Sequence, residues 1–383
     1  MIPYSKQFIS NEDIKEVTKV LKSNFLTQGN VLERFEKKIS KYVGSKYAVA
    51  VSSASAGLHL SCLALNLKKK DILWTVPNTF LASASCGLHC GAKIDFVDID
   101  EKTKNISIEK LTEKLKISKR KNLLPKILVP VHFAGQPTLQ EKIYHLSKKY
   151  NFKIIEDASH SLGSKRYNNK VGNCKWSNLT VFSFHPVKPI TTAEGGVITT
   201  NDKSYYEDLK ILRNHGILRD QRKLKVKSFW YYEQIKLGFN YRMNEIQAAL
   251  GISQLKKLTA FNNFRNKAAN FYIKNLKDLP IDLPYLDNKN TSSYHLFVIN
   301  FDEKKVKFTY DTLYKKLRKK KIGVNLHYLP LHLHPIFKKY GFKKGDFPIS
   351  EKHSRTGFSI PLYYKITKKE QLKVINALKI IFK

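Results

Sequence analysis

The sequence predicts an α/β fold with a mostly parallel central sheet sandwiched by helices, plus a smaller C-terminal α+β domain. Two patterns and one count point there. Strand-length apolar runs alternate with helix-period segments as far as about Asn240, as crossover connections require. Beyond Asn240 the period lengthens into long helices followed by a mixed segment. The chain has 383 residues, 42% hydrophobic and 12% aromatic, which is enough for two cores. We expect a large domain over 1–250, including an N-terminal segment, and a small one over 251–383.

The elements follow in order. Ser10-Asn11-Glu12-Asp13 has the form of a helix cap, and Ile14, Val17 and Leu21 continue it at helical spacing. Residues 47–52 read as a buried strand and 56–67 as the helix after it. A second strand is expected over 72–76, a helix near 80–89 and a third strand over 93–97. A further strand at 126–133 precedes a helix at 139–150. Strands at 152–158, 179–184 and 197–200 complete the apolar series. Residues 243–258 and 262–276 read as two long helices. Pro280 and Pro284 punctuate a polar stretch to Ser293. A strand at 294–301, a helix at 310–320 and a closing helix at 371–382 end the chain.

Composition removes several classes. Apolar and aromatic content excludes a disordered chain, and 17 Gly with 13 Pro exclude collagen-like sequence. No apolar run has the roughly 18 residues of a spanning helix, and the N-terminus lacks the form of a signal peptide. Four sparse cysteines, Cys62, Cys86, Cys90 and Cys174, suit a reduced cytoplasm better than a disulfide framework. Cys86-Gly-Leu-His89-Cys90 has the look of half a metal site, but no second half follows it, so no metal is expected. Lys and Arg exceed Asp and Glu by 69 − 31 = +38. That excess permits a nucleic-acid or membrane binder. The cationic runs, however, are short and dispersed, and no zinc finger, basic zipper or RNA-recognition motif accompanies them. A lysine-rich surface on an enzyme with an anionic substrate accounts for the charge, and neither nucleic acid nor membrane is expected as a partner.

Residues 154–196 carry the chemistry. Ile154-Ile155-Glu156-Asp157 puts Asp157 at the C-terminal end of an apolar strand, the edge where open parallel sheets bind ligands. Lys188 falls just past the next strand and before the Glu194-Gly195-Gly196 turn. One lysine and one carboxylate at strand ends suit pyridoxal 5′-phosphate (PLP). The lysine forms a Schiff base and must first lose its proton, against an unperturbed pKa near ~10.4. The carboxylate keeps the pyridine nitrogen protonated, so that the ring acts as an electron sink. Ser52-Ser53-Ala54-Ser55-Ala56-Gly57 follows a strand and opens a helix, as a phosphate cradle does. Phe80, after Pro77-Asn78-Thr79, is placed to lie over a ring.

Together these segments resemble the DegT/DnrJ/EryC1/StrS family of sugar aminotransferases, which has the fold-type-I, aspartate-aminotransferase-like architecture. The resemblance runs from about Tyr4 to the C-terminal helix. It rests on Leu26-Thr27-Gln28-Gly29, the Ser53-Ala54-Ser55-Ala56 turn, Pro77-Asn78-Thr79-Phe80, Glu156-Asp157-Ala158-Ser159-His160, Phe184-His185-Pro186-Val187-Lys188, Glu194-Gly195-Gly196 and Gly238-Phe239-Asn240-Tyr241-Arg242-Met243, in that order. It implies that Lys188 carries the cofactor and moves the proton, that Asp157 binds the pyridine nitrogen, and that His160 lies near the cofactor hydroxyl. Ser183, Ser55 and the Ala56 amide would hold the phosphate, and Phe80 would stack on the ring. Asn240 would reach the phosphate from a neighbouring subunit, implying a homodimer with shared sites. Gln28, His327 and Tyr328 match substrate-side positions. Ser55 stands where threonine is usual, and Ala193 where glycine is frequent.

Some relatives of this kind are dehydratases with histidine at the lysine position, whereas Lys188 favours transamination. The phrases around His132, Glu156 and His185 look most like the pseudaminic-acid branch. That implies transfer of an amino group from L-glutamate to C4 of a UDP-linked 4-keto-6-deoxy-N-acetylhexosamine in the cytoplasm. Another nucleotide-linked 3- or 4-ketosugar, or an aminocyclitol, is the alternative substrate. A basic nucleic-acid binder on a PLP-like scaffold is the remote one.

Overall fold

Asp13 reaches back to the start of its own helix, accepting from the Ser10 amide at 2.8 Å and from its hydroxyl at 3.1 Å. This opens α1 (Asn11–Leu21) in the computed structural model, which describes residues 1–220 and 222–382. The chain continues through α2 (Asn30–Val43), β1 (Tyr47–Val51), α3 (Ala54–Ala64), β2 (Ile72–Thr75), α4 (Ala82–His89), β3 (Lys93–Phe96), α5 (Ile108–Arg120), β4 (Ile127–Leu128), α6 (Gln140–Tyr150) and β5 (Lys153–Asp157). A small hairpin, β6 (Lys165–Arg166) and β7 (Asn169–Lys170), precedes β8 (Leu179–Ser183), β9 (Gly196–Thr200) and α7 (Lys203–Arg213). Helices α2, α5 and α7 add to the elements expected from sequence.

Among the described residues, seven strands form one sheet in the order β1-β9-β8-β5-β4-β2-β3. β9 runs antiparallel to both neighbours, and the other pairs are parallel. Both faces of this sheet are covered, so its strands are apolar throughout. In β1, Val49 and Val51 enter the core beneath α3, α4 and α7. Ala48 and Ala50 enter the opposite core, with Phe35 and Ile39 of α2. A third cluster packs Leu111, Leu115 and Ile143 from α5 and α6 on Trp74, Leu128 and Ile154.

β4 is shorter than the expected 126–133. Pro130 has no N–H to give the ladder, and the chain then turns through Ala134, whose φ is +55°. The two helices expected at 243–258 and 262–276 are one. After the short pair β10 (Ile217–Leu218) and β11 (Glu233–Gln234), helix α8 (Glu245–Leu276) runs unbroken for 32 residues. No proline interrupts it, and Gly251 within it answers to packing: a Cβ there would meet Phe35 Cε2 at 2.6 Å.

The N-terminal half of α8 packs Ala248, Ile252 and Phe261 on the main sheet. Its C-terminal half gives Ala269, Tyr272 and Leu276 to a second core. That core is built on β12 (Ile281–Asp282), β14 (Phe297–Phe301) and β15 (Gly357–Ile360), a separate three-stranded sheet. Strand β13 (Asn290–Thr291) joins the β6–β7 hairpin instead. Helices α9 (Tyr310–Lys319) and α12 (Lys368–Phe382) cover the second core, and the short α10 (Pro335–Lys338) and α11 (Pro348–Thr356) lie between them in sequence. Among the described residues no helix is long and apolar enough to cross a membrane.

Candidate active site

The C-terminal ends of β5 and β8 open into a cavity of about 400 Å³. Asp157, His160, Ser183, Lys188, Ser55, Phe80, His327 and Tyr328 all line it. Residues spread over more than 270 positions of sequence are thus brought to one sheet edge. Three expected site residues are not there. Ala56 is buried, and its amide already donates to the Ser53 hydroxyl. Gln28 and Asn240 are exposed, and Gln28 lines a separate groove beside Glu245.

Lys188 sits in the loop between β8 and the antiparallel β9. Phe184 donates to the Gly195 carbonyl at 2.9 Å, and Thr192 returns a bond to Phe184 at 3.0 Å, closing that loop. Ala193 in it has a φ of +66°, a left-handed conformation that costs an alanine about 1–2 kcal/mol. This is the position where the resemblance leads one to expect glycine. Burial pushes the Lys188 amine down to about 8, against the pull of the Asp157 carboxylate. At pH 7 a pKa of 8 leaves about one amine in ten neutral, against about one in several thousand at the unperturbed value.

Asp157 is buried, and both its oxygens accept hydrogen bonds. Ser83 donates to Oδ2 at 2.6 Å, and Ser159 donates to Oδ1 through its hydroxyl at 2.6 Å and its amide at 3.1 Å. Thr79 pairs with Ser83 behind it at 2.8 Å. His160 packs beside this carboxylate in the cavity wall. Its Nδ1 accepts from the Ala134 amide at 3.2 Å, and Nε2 lies 3.2 Å from the Tyr328 hydroxyl. An accepting Nδ1 places the proton of the neutral ring on Nε2. Burial, then the charges of Lys188 and His327, hold the His160 pKa well below the usual range. His327 is pushed down to about 3 by burial and by Lys188. These imidazoles are therefore neutral hydrogen-bonding groups at pH 7. Burial raises the Tyr328 hydroxyl, keeping it protonated.

Sequence reasoning missed His295, Asn325, Ser83 and Thr79. His295 packs tilted against His160 at 4.4 Å between ring centres, lines the cavity, and has a buried Nδ1 without a partner. Asn78 holds the Tyr328 amide through Oδ1 at 3.0 Å while its Nδ2 is likewise unpartnered. Neither position has a sequence signal, because both acquire their place only when β14 and the 325–328 segment meet the main sheet.

At the N-terminus of α3, Ser53 caps the helix by accepting from the Ala56 amide at 3.1 Å. The first turn of α3 carries no acidic residue, and Ser55 and Ser183 face the cavity. Gly196 lets β9 approach this turn. A Cβ there would meet the Ala54 nitrogen and the Ser53 carbonyl carbon at 2.7 Å, with the Ser53 oxygen at 2.8 Å. All three are backbone atoms and cannot swing aside. Gly196→Ala is expected to cost about 1–3 kcal/mol and to weaken PLP binding, as measured by denaturant midpoint and PLP titration. Unchanged values in both would show that the turn yields.

The profile of the DegT/DnrJ/EryC1/StrS aminotransferase family matches residues 7–379. The chain belongs to this family. The UDP-4-amino-4,6-dideoxy-N-acetyl-beta-L-altrosamine transaminase of Campylobacter jejuni (serotype O:23/36) is 39% identical over 341 residues, covering 88% of this chain and 86% of its own. The spore coat polysaccharide biosynthesis protein SpsC of Bacillus subtilis is 33% identical, covering 100% and 97%. Among solved structures, Helicobacter pylori PseC, described as an aminotransferase involved in the biosynthesis of pseudoaminic acid, superposes with a TM-score of 0.90. It is 32% identical and covers 100% of this chain and 99% of its own. The family's aminotransferases are PLP-dependent, and this cavity fits PLP. It offers a lysine amine of lowered pKa, a buried carboxylate, a helix N-terminus with serine hydroxyls, and an unpartnered ring nitrogen on His295.

Proposed function

We propose that this enzyme moves the amino group of L-glutamate to C4 of a UDP-linked 4-keto-6-deoxy-N-acetylhexosamine, giving UDP-4-amino-4,6-dideoxy-N-acetyl-β-L-altrosamine. The observation that carries aminotransfer is the placing of Lys188 and Asp157 on one cavity walled by neutral imidazoles. The sugar is supported by the Campylobacter relative and by the near-complete superposition on PseC. Four free cysteines suit a reducing compartment, and we place the reaction in the cytoplasm.

Lys188, with its amine poised near neutrality, is the nucleophile and then the proton carrier. Bound PLP supplies a ring that takes up the electron pair left when a carbon loses its proton. Asp157 holds a negative charge against that ring's nitrogen. Ser83 and Ser159 fix its two oxygens so that it cannot rotate away. His160 offers its Nε2 proton with the ring clamped between Ala134 and His295. Ser55, Ser183 and the start of α3 bind phosphate. His327 and Tyr328 orient the sugar side.

The reading is tested by visible absorption of the PLP-loaded protein. Glutamate should bleach the band, and the UDP-linked 4-ketosugar should restore it with formation of the amino sugar. A band untouched by glutamate would reject the donor. Restoration only by a different ketosugar would move the assignment to the second reading, for which the full-length match to SpsC leaves room.

The active unit we propose is a homodimer with shared sites. Gln28 and Asn240 lie outside their own chain's cavity, and the neighbouring segment exposes Phe229 fully and Leu237 at 82%. Mixing Lys188→Ala and Asn240→Ala proteins after partial unfolding should then regain activity that neither has alone. Random exchange in a two-fold dimer gives about a quarter of the wild-type rate, from the one intact site of each heterodimer. No recovery, with exchange shown by mass, would place Asn240 in its own subunit's site.

A further inference from the structure

A second cavity, of about 680 Å³, opens where loops of the main sheet meet the second core. No residue lines both it and the catalytic cavity. One wall is the 101–104 loop beyond β3, with Phe133, Ala134 and Gln136. The other is the 281–286 segment, with β14 and α11. Phe133, Leu296 and Val298 give it an apolar floor. Tyr328 packs against that same cluster while lining the catalytic cavity. One layer of side chains therefore separates the two spaces, and hydrogen bonds cross it. Ala134 donates to His160 at 3.2 Å. His353, in the wall of the second cavity, donates through Nε2 to the His327 carbonyl at 2.9 Å and accepts from Asn300 Nδ2 at 3.0 Å.

The unpaired charge in this cavity is mostly positive. Glu101 is taken by Lys352 at 2.6 Å, and Asp302 by Lys305 at 3.7 Å and the Lys304 amide at 3.0 Å. That leaves Lys102, Lys104 and Lys304, none with a carboxylate within 4.0 Å among the described residues, against Asp282 alone. The half-buried Lys104 ammonium donates to the Glu101 carbonyl. Burial lowers its pKa against the pull of Asp282 and Glu101, and its charge adds to the burial that holds His353 down at about 4. An anion would return to these ammoniums what partial burial takes from them. Around the charges stand aromatic walls, Phe133, Tyr294, Phe301 and the half-exposed Tyr285, suited to the face of a ring.

We infer that this cavity is a second ligand site, taking a small anion with an aromatic ring, the chemistry of a nucleoside monophosphate. The anionic end meets Lys102, Lys104 and Lys304, and the ring lies along the aromatic and aliphatic wall. The volume is in the range of small-molecule sites. The ligand touches His353 and the Ala134 wall, so its presence is also felt at His327, one hydrogen bond away.

The probe is AMP, because a uridine nucleotide would also enter the site of the substrate proposed above. Titration calorimetry of the PLP-loaded protein should show AMP binding, with adenosine and inorganic phosphate each about tenfold or more weaker, since each keeps half of the contacts. Lys102→Ala combined with Lys304→Ala should weaken AMP about tenfold or more. Both lysines are exposed, and bleaching by glutamate should be unchanged in this variant. Imidazole NMR of the unaltered protein should show the His353 signals moving with AMP and those of His327 following. The exposed His145 on α6 should stay in place. His353 signals that AMP leaves unmoved, an affinity untouched by the lysine pair, or phosphate binding as tightly as AMP would each overturn the inference. None of these readouts depends on which sugar is aminated, so their failure would leave the proposed reaction standing.

Discussion

Lys188→Ala should lower kcat by about 10⁴-fold or more, since it removes both a nucleophile and the proton carrier. Lys188→Arg should do nearly as much damage. Arginine keeps the positive charge but does not give up its proton in a protein, so the pair of variants separates charge from chemistry. The two should differ in their surroundings. The Lys188 charge contributes to the lowered pKa values of His160 and His327. In the alanine variant those imidazoles lose a repelling neighbour and their pKa values rise; in the arginine variant they stay low. Steady-state rates and imidazole NMR titrations read the two effects independently. A Lys188→Arg enzyme within a hundredfold of wild type would remove Lys188 from the chemistry.

The site was legible wherever its residues are bound to a strand end. Asp157 and Lys188 each follow an apolar run that the sequence displays openly, and the β–loop–β geometry places them. The Ser53–Ala56 turn was legible as a helix start after a strand, and Ser53 does cap α3. The second layer was not. Ser83 matters because it is 2.6 Å from Asp157, 74 positions away, and a serine in a helix carries no mark of that. His295 could equally have been a core histidine before β14 met the main sheet. The one long α8 was hidden by reading each half of its apolar pattern separately. Its first half faces the main sheet and its second half faces another core, so the buried stripe shifts along a helix that does not break.

Asp157→Asn is the second large effect, and it should fall on rate rather than on stability. Both oxygens of the carboxylate are held by serine hydroxyls, which can donate or accept. An amide can therefore keep most of this network, with Thr79 still backing Ser83. The expected change in stability is about 1 kcal/mol or less. Asp157→Ala empties the site, strands buried hydroxyls, and should cost about 1–3 kcal/mol. Both variants lose the negative charge, and kcat should fall about 10²–10³-fold in each, in the range seen when a preorganised charge-stabilising group is removed. A third reading ties the residue to Lys188. The Asp157 carboxylate raises the lysine's pKa against its burial. Without that charge the Lys188 pKa must fall below about 8, so the pH midpoint for uptake of PLP by the cofactor-free protein moves down. A fully active Asp157→Asn enzyme, or a midpoint that rises, would separate this carboxylate from the chemistry of Lys188.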